Sequence, residues 1–300
     1  MKNAIEQIQK LKKERHAVIL AHNYQRAEVQ DIADFTGDSL ELSQQAAKTD
    51  AAVIVFCGVH FMAETASILS PEKTVLLPDA GAGCPMANMI TAAQLRAKKK
   101  ELPNATVVTY INSSAAVKAE SDYCCTSANG VRLVQSINAE EILFVPDQYL
   151  GAFIAAKTGK KMTLWPGFCP THANIMPEDI RQRKLEHPNA KVVVHPECRG
   201  EVIALADEAL STSGMIRYAA RPDVKELIVG TEIEILHRLR KENPGKQFIP
   251  ASAKAICPNM KKITMEKVAE CLETMRPQIT VPEEIRVKAL AAVNRMLEIG

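Results

Sequence analysis

Apolar residues in this chain gather into short continuous runs rich in Val, Ile and Leu, and the runs alternate with stretches of helical period. "AVILAHNY" begins at Ala17, "ATVVTYIN" at Ala105 and "AKVVVHPE" at Ala190. A second run follows each of these: "AAVIVFCG", "EEILFVPD" and "KELIVGTE". A third strand is expected to end at a Cys-Pro pair in "KTVLLPDAGAGCP", "KKMTLWPGFCP" and "KQFIPASAKAICP". Runs this short, without polar alternation, predict parallel strands buried on both faces and joined by crossover helices. A Ser/Thr-bearing turn leads into each of "TGDSLELSQQAA", "YCCTSANGVRLV" and "ALSTSGMIRYAA", and "MAETASIL", "LGAFIAAKTG" and "EIEILHRLRKENPG" supply further helices.

The Cys-Pro pairs at Cys84, Cys169 and Cys257 lie 85 and 88 residues apart, where chance would place fewer than one such pair in the whole chain. Near-equal spacing of a rare pair signals an internal repeat. The fold class expected is α/β, with three similar α/β/α units, each carrying a small parallel sheet, arranged about a pseudo-threefold axis. The units are placed at residues 1–88, 89–173 and 174–258, with a helical tail over 259–300. Units this small bury surface against one another and do not fold separately. In parallel α/β units ligands bind at the carboxyl ends of the strands, so three units about one axis point their strand-end loops at one central site.

Composition narrows the function. The 300 residues are 47% apolar, ample for a core, and 24% charged with both signs mixed and a formal net charge of +2. That excludes disorder and argues against nucleic-acid binding; Lys98–Lys100 read as a solvated helix end. No apolar run reaches the ~18–20 residues of a membrane span, and the N-terminus reads as a polar amphipathic helix, not a signal peptide. The protein is expected in the cytoplasm, where thiols stay reduced, so its eight cysteines point to core filling, metal binding or catalysis.

The aligned strand ends carry chemistry. His22 and Tyr24 correspond to Tyr110 and Asn112 and to His195 and Glu197, at offsets of 88 and 85. Within each pair one residue intervenes, so both side chains project to the same side of an extended chain. Ser39, Ser127 and Thr212 keep the same offsets and stand before helical patterns. They are candidate N-caps, where free N–H groups and hydroxyls suit carboxylates or phosphates. Each of the three aligned cysteines precedes a proline suited to a first helical turn, and the helix dipole would favour its thiolate. Cys57, Cys124, Cys125, Cys198 and Cys271 read as core residues, Cys198 close to the site. His16, His60, His187 and His237 read as structural or surface residues, and His172 stands between the two readings.

Three converging thiols could hold zinc with a fourth ligand, or three irons of a [4Fe–4S] cluster, and spacing does not choose between them. With three protein ligands one position stays open for Lewis-acid catalysis. A zinc-dependent lyase or hydrolase and a non-enzymatic small-anion binding protein are the rival readings.

Ten segments carry a closer resemblance: "LAHNYQ", "GDSLELS", "FCGVHFMAETA", "DAGAGCPMA", "TYINSSAAVKAESDYCCTSANG", "PDQYLG", "GFCPTH", "VHPEC", "STSGM" and "ICPNMKKIT". In combination, over almost the full length, the chain resembles the quinolinate synthase family, iron–sulfur enzymes of NAD biosynthesis. It is similar to the shorter form, with Cys257 alone where some relatives carry a Cys-x-x-Cys-x-x-Cys run. The resemblance implies condensation of iminoaspartate with dihydroxyacetone phosphate to quinolinate, phosphate and water. It implies that Cys84, Cys169 and Cys257 ligate a [4Fe–4S] cluster and that Tyr24 and Glu197 transfer protons, a carboxylate base near neutral pKa being expected for the second. His22, His195, Ser39, Ser127 and Thr212 would hold carboxylate or phosphate groups, Tyr110 and Asn112 would line the pocket, and His172 and Ser213 would assist. An aspartate-oxidising enzyme supplying iminoaspartate is a candidate partner; neither nucleic acid nor membrane is expected.

Overall fold

The computed structural model describes residues 2–299. Twelve strands fall into three sheets of four. The first sheet holds β1 (Ala17–His22), β2 (Phe35–Gly37), β3 (Val53–Cys57) and β4 (Thr74–Leu76). The second holds β5 (Thr106–Tyr110), β6 (Tyr123–Cys125), β7 (Ile142–Val145) and β8 (Met162–Leu164). The third holds β9 (Lys191–Val194), β10 (Glu208–Ala209), β11 (Glu226–Gly230) and β12 (Gln247–Pro250). Within each sheet every pairing is parallel. In each, the unit's second strand lies at one edge and its first, third and fourth strands follow. The three similar α/β units expected from the apolar runs are therefore present, with one more strand each than the runs disclosed.

That extra edge strand, two or three residues long, lies where the sequence reads as the turn into a helix. The same aspartate reinforces it in all three units. Asp34, Asp122 and Asp207, just before or at the edge strand, each accept the backbone N–H of Ile19, Val107 or Val192 at 2.8 Å. Their own N–H groups return a bond to the carbonyl of that same residue, at 2.9, 3.1 and 2.8 Å. One side chain and one amide thus close a two-way clasp between the first strand and the return of the chain.

A second correction concerns the last strands. β4, β8 and β12 stop at Leu76, Leu164 and Pro250, short of the cysteines, which lie in loops beyond them. One-turn helical segments follow each Cys-Pro: a 3₁₀ turn at Met86–Asn88, the helix Pro170–Ala173 and a 3₁₀ turn at Met260–Lys262.

The largest apolar cluster draws on all three units and on the C-terminal helices, and smaller clusters lie within the second and third units. The helix Met265–Thr274 packs on the N-terminal helix Lys2–Glu14. The helix Glu283–Glu298 packs on β6 and on the helices Ala115–Lys118 and His60–Leu69, and so bridges the first and second units. Its buried residues, Ala289, Ala292, Val293 and Met296, repeat at the spacing of one helical face. Among the described residues no helix is long and apolar enough to cross a membrane.

Candidate active site

The strand-end loops of all three units meet around a cavity of ≈ 150 Å³. His22 and Tyr24 reach it from the first unit, Tyr110 and Asn112 from the second, His195 and Glu197 from the third. Ser39, Ser127 and Thr212 also line it, with Cys84, Cys169, Cys257 and His172. Ser213 does not: its hydroxyl donates instead to Glu41 Oε2 at 2.5 Å.

His22 and His195 are built alike. In each, ring Nδ1 accepts the backbone N–H two residues on, from Tyr24 at 3.2 Å and from Glu197 at 3.3 Å. The backbone then turns, with Gln25 N–H on the His22 carbonyl and Cys198 N–H on the His195 carbonyl, both at 2.9 Å. An accepting Nδ1 fixes the tautomer, leaving Nε2–H as the free donor. His195 Nε2 meets Ser127 Oγ at 3.2 Å. Burial pushes both imidazoles down to about 3, against the opposing pull of the Glu197 charge. Both rings are therefore neutral donors.

Glu197 lies at the centre of the polar network. Its Oε1 accepts the Tyr110 hydroxyl at 2.5 Å, and its Oε2 lies 2.7 Å from His172 Nδ1. Burial alone would raise its carboxyl, but the imidazoles beside it, His172 first and then His195, with the His172 and Tyr110 hydrogen bonds, hold it far below the ordinary carboxylate range. This corrects the expected near-neutral base: Glu197 is an ionised, fully buried acceptor. Burial and the Glu197 charge raise the phenols of Tyr24 and Tyr110, so both keep their protons. The other ring nitrogen of His172 reaches Thr231 Oγ1 at 2.7 Å and the Tyr24 hydroxyl at 3.3 Å, and its plane stacks on His195 at 4.6 Å.

The expected helix caps are displaced by one residue or more. Asp38 caps the helix Ser39–Lys48 in a capping box with Glu41, and Ser211 caps Thr212–Ala219. Ser39 and Thr212 occupy the first helical position instead. A residue of equal capping type one position earlier takes the cap, and that leaves both hydroxyls at the cavity. Ser127 stands in a loop ahead of the helix Gly130–Ser136.

The cysteines share a local geometry. Backbone N–H groups of Met86 and Ala87 lie against the Cys84 thiol, that of His172 against Cys169, and those of Asn259 and Met260 against Cys257. These donors favour the thiolate, as expected, but desolvation is larger. Burial pushes Cys84 up to about 12 and raises Cys169 and Cys257, so the expected dipole-stabilised free thiolate is not formed by the protein alone. The thiols are also mutual neighbours, Cys257 raising Cys84 and Cys84 raising Cys169. Thiols aimed into one cavity, each backed by amide donors, fit a metal-bound thiolate centre. Cys169, His172 and Glu197 also present donor atoms within 4.8 Å of one another. However, the 2.7 Å between His172 Nδ1 and Glu197 is a hydrogen-bond length, shorter than the roughly 3.3 Å between two tetrahedral zinc ligands.

Four residues at or beside the site escaped the repeat comparison. Asp38 and Glu232 line the cavity. Glu232, fully buried, pairs with Lys261 at 2.8 Å and accepts the Cys257 N–H at 3.2 Å. Asp147, its counterpart 85 residues earlier, is also fully buried, accepts the Tyr149 and Leu150 N–H groups, and leaves its Oδ2 without a partner. Thr231 joins Tyr24 to His172. Thr231, Glu232 and Asp147 belong to no aligned set of three polar residues, which is the signal the sequence offered, whereas Asp38 stands in register with Thr126 and Ser211 and carried that signal. The remaining cysteines are buried core residues, Cys198 donating to the Gly230 carbonyl at 3.5 Å.

Comparison with known proteins agrees along nearly the whole chain. A family model described as quinolinate synthetase A protein matches residues 6–298. A quinolinate synthase of Dehalococcoides mccartyi strain CBDB1 is 64% identical over 292 residues, 97% of both chains. One from Geobacter sp. strain M21 is 58% identical over 97% of this chain and 96% of its own. Quinolinate synthase 2 of Methanosarcina acetivorans is 55% identical over 98% and 95%.

Proposed function

Since the chain belongs to the quinolinate synthetase A protein family, we propose that it is a quinolinate synthase, condensing iminoaspartate with dihydroxyacetone phosphate to give quinolinate, phosphate and water. The observation that carries this reading is the meeting of three unit-end loops at one cavity lined by thiols, neutral histidines and a buried carboxylate.

Both substrates are anions, and the cavity answers them with donors. The Nε2–H groups of His22 and His195 and the hydroxyls of Ser39, Ser127 and Thr212 face it from all three units. The helix starts at Ser39 and Thr212 add a positive end to that set. Asn112 Oδ1, buried and without a partner, is an acceptor for a substrate N–H or O–H. Ring closure removes protons from carbon and delivers protons to departing oxygen. Glu197 is the acceptor for the first task and the Tyr24 phenol the donor for the second, and Tyr110 and His172 hold Glu197 in place.

Cys84, Cys169 and Cys257 are the residues to hold a [4Fe–4S] cluster, which would supply a Lewis-acidic iron with one position not taken by cysteine. Reduced thiols suit the cytoplasm, and all eight cysteines are unpaired. The units divide at 1–88, 89–173 and 174–258, leaving 259–300 as the bracing tail. An aspartate-oxidising enzyme is the upstream partner.

The test is anaerobic purification followed by assay of quinolinate from dihydroxyacetone phosphate and an iminoaspartate source. A brown protein absorbing near ~400 nm, with about four iron and four sulfide per chain, and quinolinate formation are expected. A colourless, zinc-loaded enzyme would move the site to the rival metal, and absence of quinolinate would end the proposal.

A further inference from the structure

Asn23 stands between His22 and Tyr24 but does not line the cavity with them. Its side chain is fully buried and is gripped by two elements of the third unit. Arg238, on the helix Ile235–Glu242, donates to Asn23 Oδ1 at 2.9 Å. Asn23 Nδ2 in turn donates to Thr212 Oγ1 at 2.8 Å, where the helix Thr212–Ala219 begins.

The sense of both bonds is forced. A guanidinium only donates, so the amide atom facing Arg238 is the oxygen and the atom facing Thr212 is the NH₂. Arg238 is itself pinned, its Nη1 donating also to the Thr36 carbonyl at 2.7 Å and its Nε to Glu242 at 2.6 Å. Thr212 Oγ1 therefore accepts from Asn23, and its own proton points elsewhere. At the first helical position it has no helical carbonyl one turn back to bond. Among the described residues no group takes that proton, and Thr212 lines the cavity.

The fold does not ask for this amide. The corresponding positions are Ile111 and Pro196, just past β5 and β9, and neither side chain forms hydrogen bonds. The amide is present only in the unit whose first loop meets Thr212.

We propose that Asn23 is a positioning residue for substrate binding: it occupies one side of the Thr212 hydroxyl so that the proton is presented to an anionic oxygen, carboxylate or phosphate, in the cavity, and Arg238 fixes which way the amide faces. The inference rests on the reading of Thr212 as a substrate-holding hydroxyl. Asn23 and Arg238 need not touch substrate.

The test uses Asn23→Asp and Arg238→Met, each made in the wild type and in Thr212→Val, as cluster-loaded protein prepared anaerobically. Asp keeps the shape and the contact with Arg238, but it offers Thr212 an acceptor and draws the hydroxyl proton out of the cavity. KM for dihydroxyacetone phosphate, for iminoaspartate or for both should rise about 10- to 100-fold, as for one lost hydrogen bond to a charged group. The substrate affected identifies the anion that Thr212 holds. Iron content should stay near wild type and kcat within about threefold, the signature of lost binding and not of lost chemistry. The new carboxylate also repels anions, so the double-mutant comparison separates the two effects. In Thr212→Val the same change should raise KM by less than about threefold. Arg238→Met should raise the same KM about 3- to 10-fold, again only where Thr212 is present. Unchanged KM for both substrates in Asn23→Asp overturns the proposal. An equal rise in the Thr212→Val background overturns it as well, because repulsion alone then accounts for the loss. If Asn23→Asp does not fold, Arg238→Met is judged by the same two criteria. If the wild-type protein itself forms no quinolinate, the functional reading fails and this inference with it. If wild type is active and the variants bind substrate as it does, only the role of Asn23 fails.

Discussion

Glu197 is surrounded by donors, and that surrounding decides what its replacement does. Glu197→Gln keeps an oxygen for Tyr110 but sets an amide against His172 Nδ1, where a carboxylate oxygen stood at 2.7 Å. Turnover is expected to fall by about 10²–10⁴-fold, the usual loss for a removed acid–base group, with iron content unchanged; normal turnover would remove Glu197 from the chemistry. The neutral histidines give a second expectation. Free imidazole titrates at 6.5, while burial holds His22 and His195 at about 3 in the folded protein. Between those values the unfolded chain binds protons that the folded one refuses, so stability is complete above the upper value and is lost as pH falls through the window. The unfolding temperature of metal-free protein should therefore drop between about pH 7 and pH 5. His22→Asn and His195→Asn, which keep an acceptor at the Nδ1 position, should each flatten that slope; an unchanged slope in both would show that burial does not hold these rings neutral. Residues such as these were legible because three polar side chains fell in one register. Thr231 was not, since its register partners are Gly58 and Pro146, and Glu232 has only Asp147, its third partner being Val59.

At the scale of elements, the long apolar runs named the central strands, because continuous burial leaves only one pattern. The edge strands were invisible for the opposite reason. Two or three residues beside a turn carry no period, and their place is fixed by the aspartate clasp to the neighbouring strand, not by their own side chains. Helix caps failed by a single residue at Ser39 and Thr212 because Asp38 and Ser211 are equally good caps by type, and only the backbone decides which one leads. The clasp is testable. Asp122→Ala removes the acceptor of the Val107 N–H in the middle of the second sheet. A loss of about 1–2 kcal/mol, read by urea unfolding, is expected from one unsatisfied amide, and the same change at Asp34 or Asp207 should cost a similar amount. Losses near zero at all three positions would show that water replaces the carboxylate freely.

For the whole molecule, the sequence repeat had one consequence that no single unit holds: the thiols at 84, 169 and 257 belong to different units yet face one cavity. The centre therefore depends on how the units dock, and the C-terminal helices take part in that docking. The helix Glu283–Glu298 lies across the first and second units, its Met296 carbonyl accepting the Asn129 side chain at 2.9 Å. Asn129 in turn receives the Thr126 N–H at 2.9 Å, and Thr126 lines the cavity beside Ser127. A tail remote from the chemistry thus holds a loop that lines it. Two sets of variants separate local from global causes. Cys84→Ser, Cys169→Ser and Cys257→Ser should each lose most of the bound iron while keeping wild-type circular dichroism. Cys57→Ala, Cys124→Ala and Cys271→Ala, buried away from the cavity, should keep the iron. Truncation after Pro282 should do both kinds of damage, because it strips the apolar face of Ala289, Ala292, Val293 and Met296 from the junction of two units. Its unfolding temperature should fall together with its iron content. A truncated chain that stays fully loaded and equally stable would mean that the three units find their common centre without the brace.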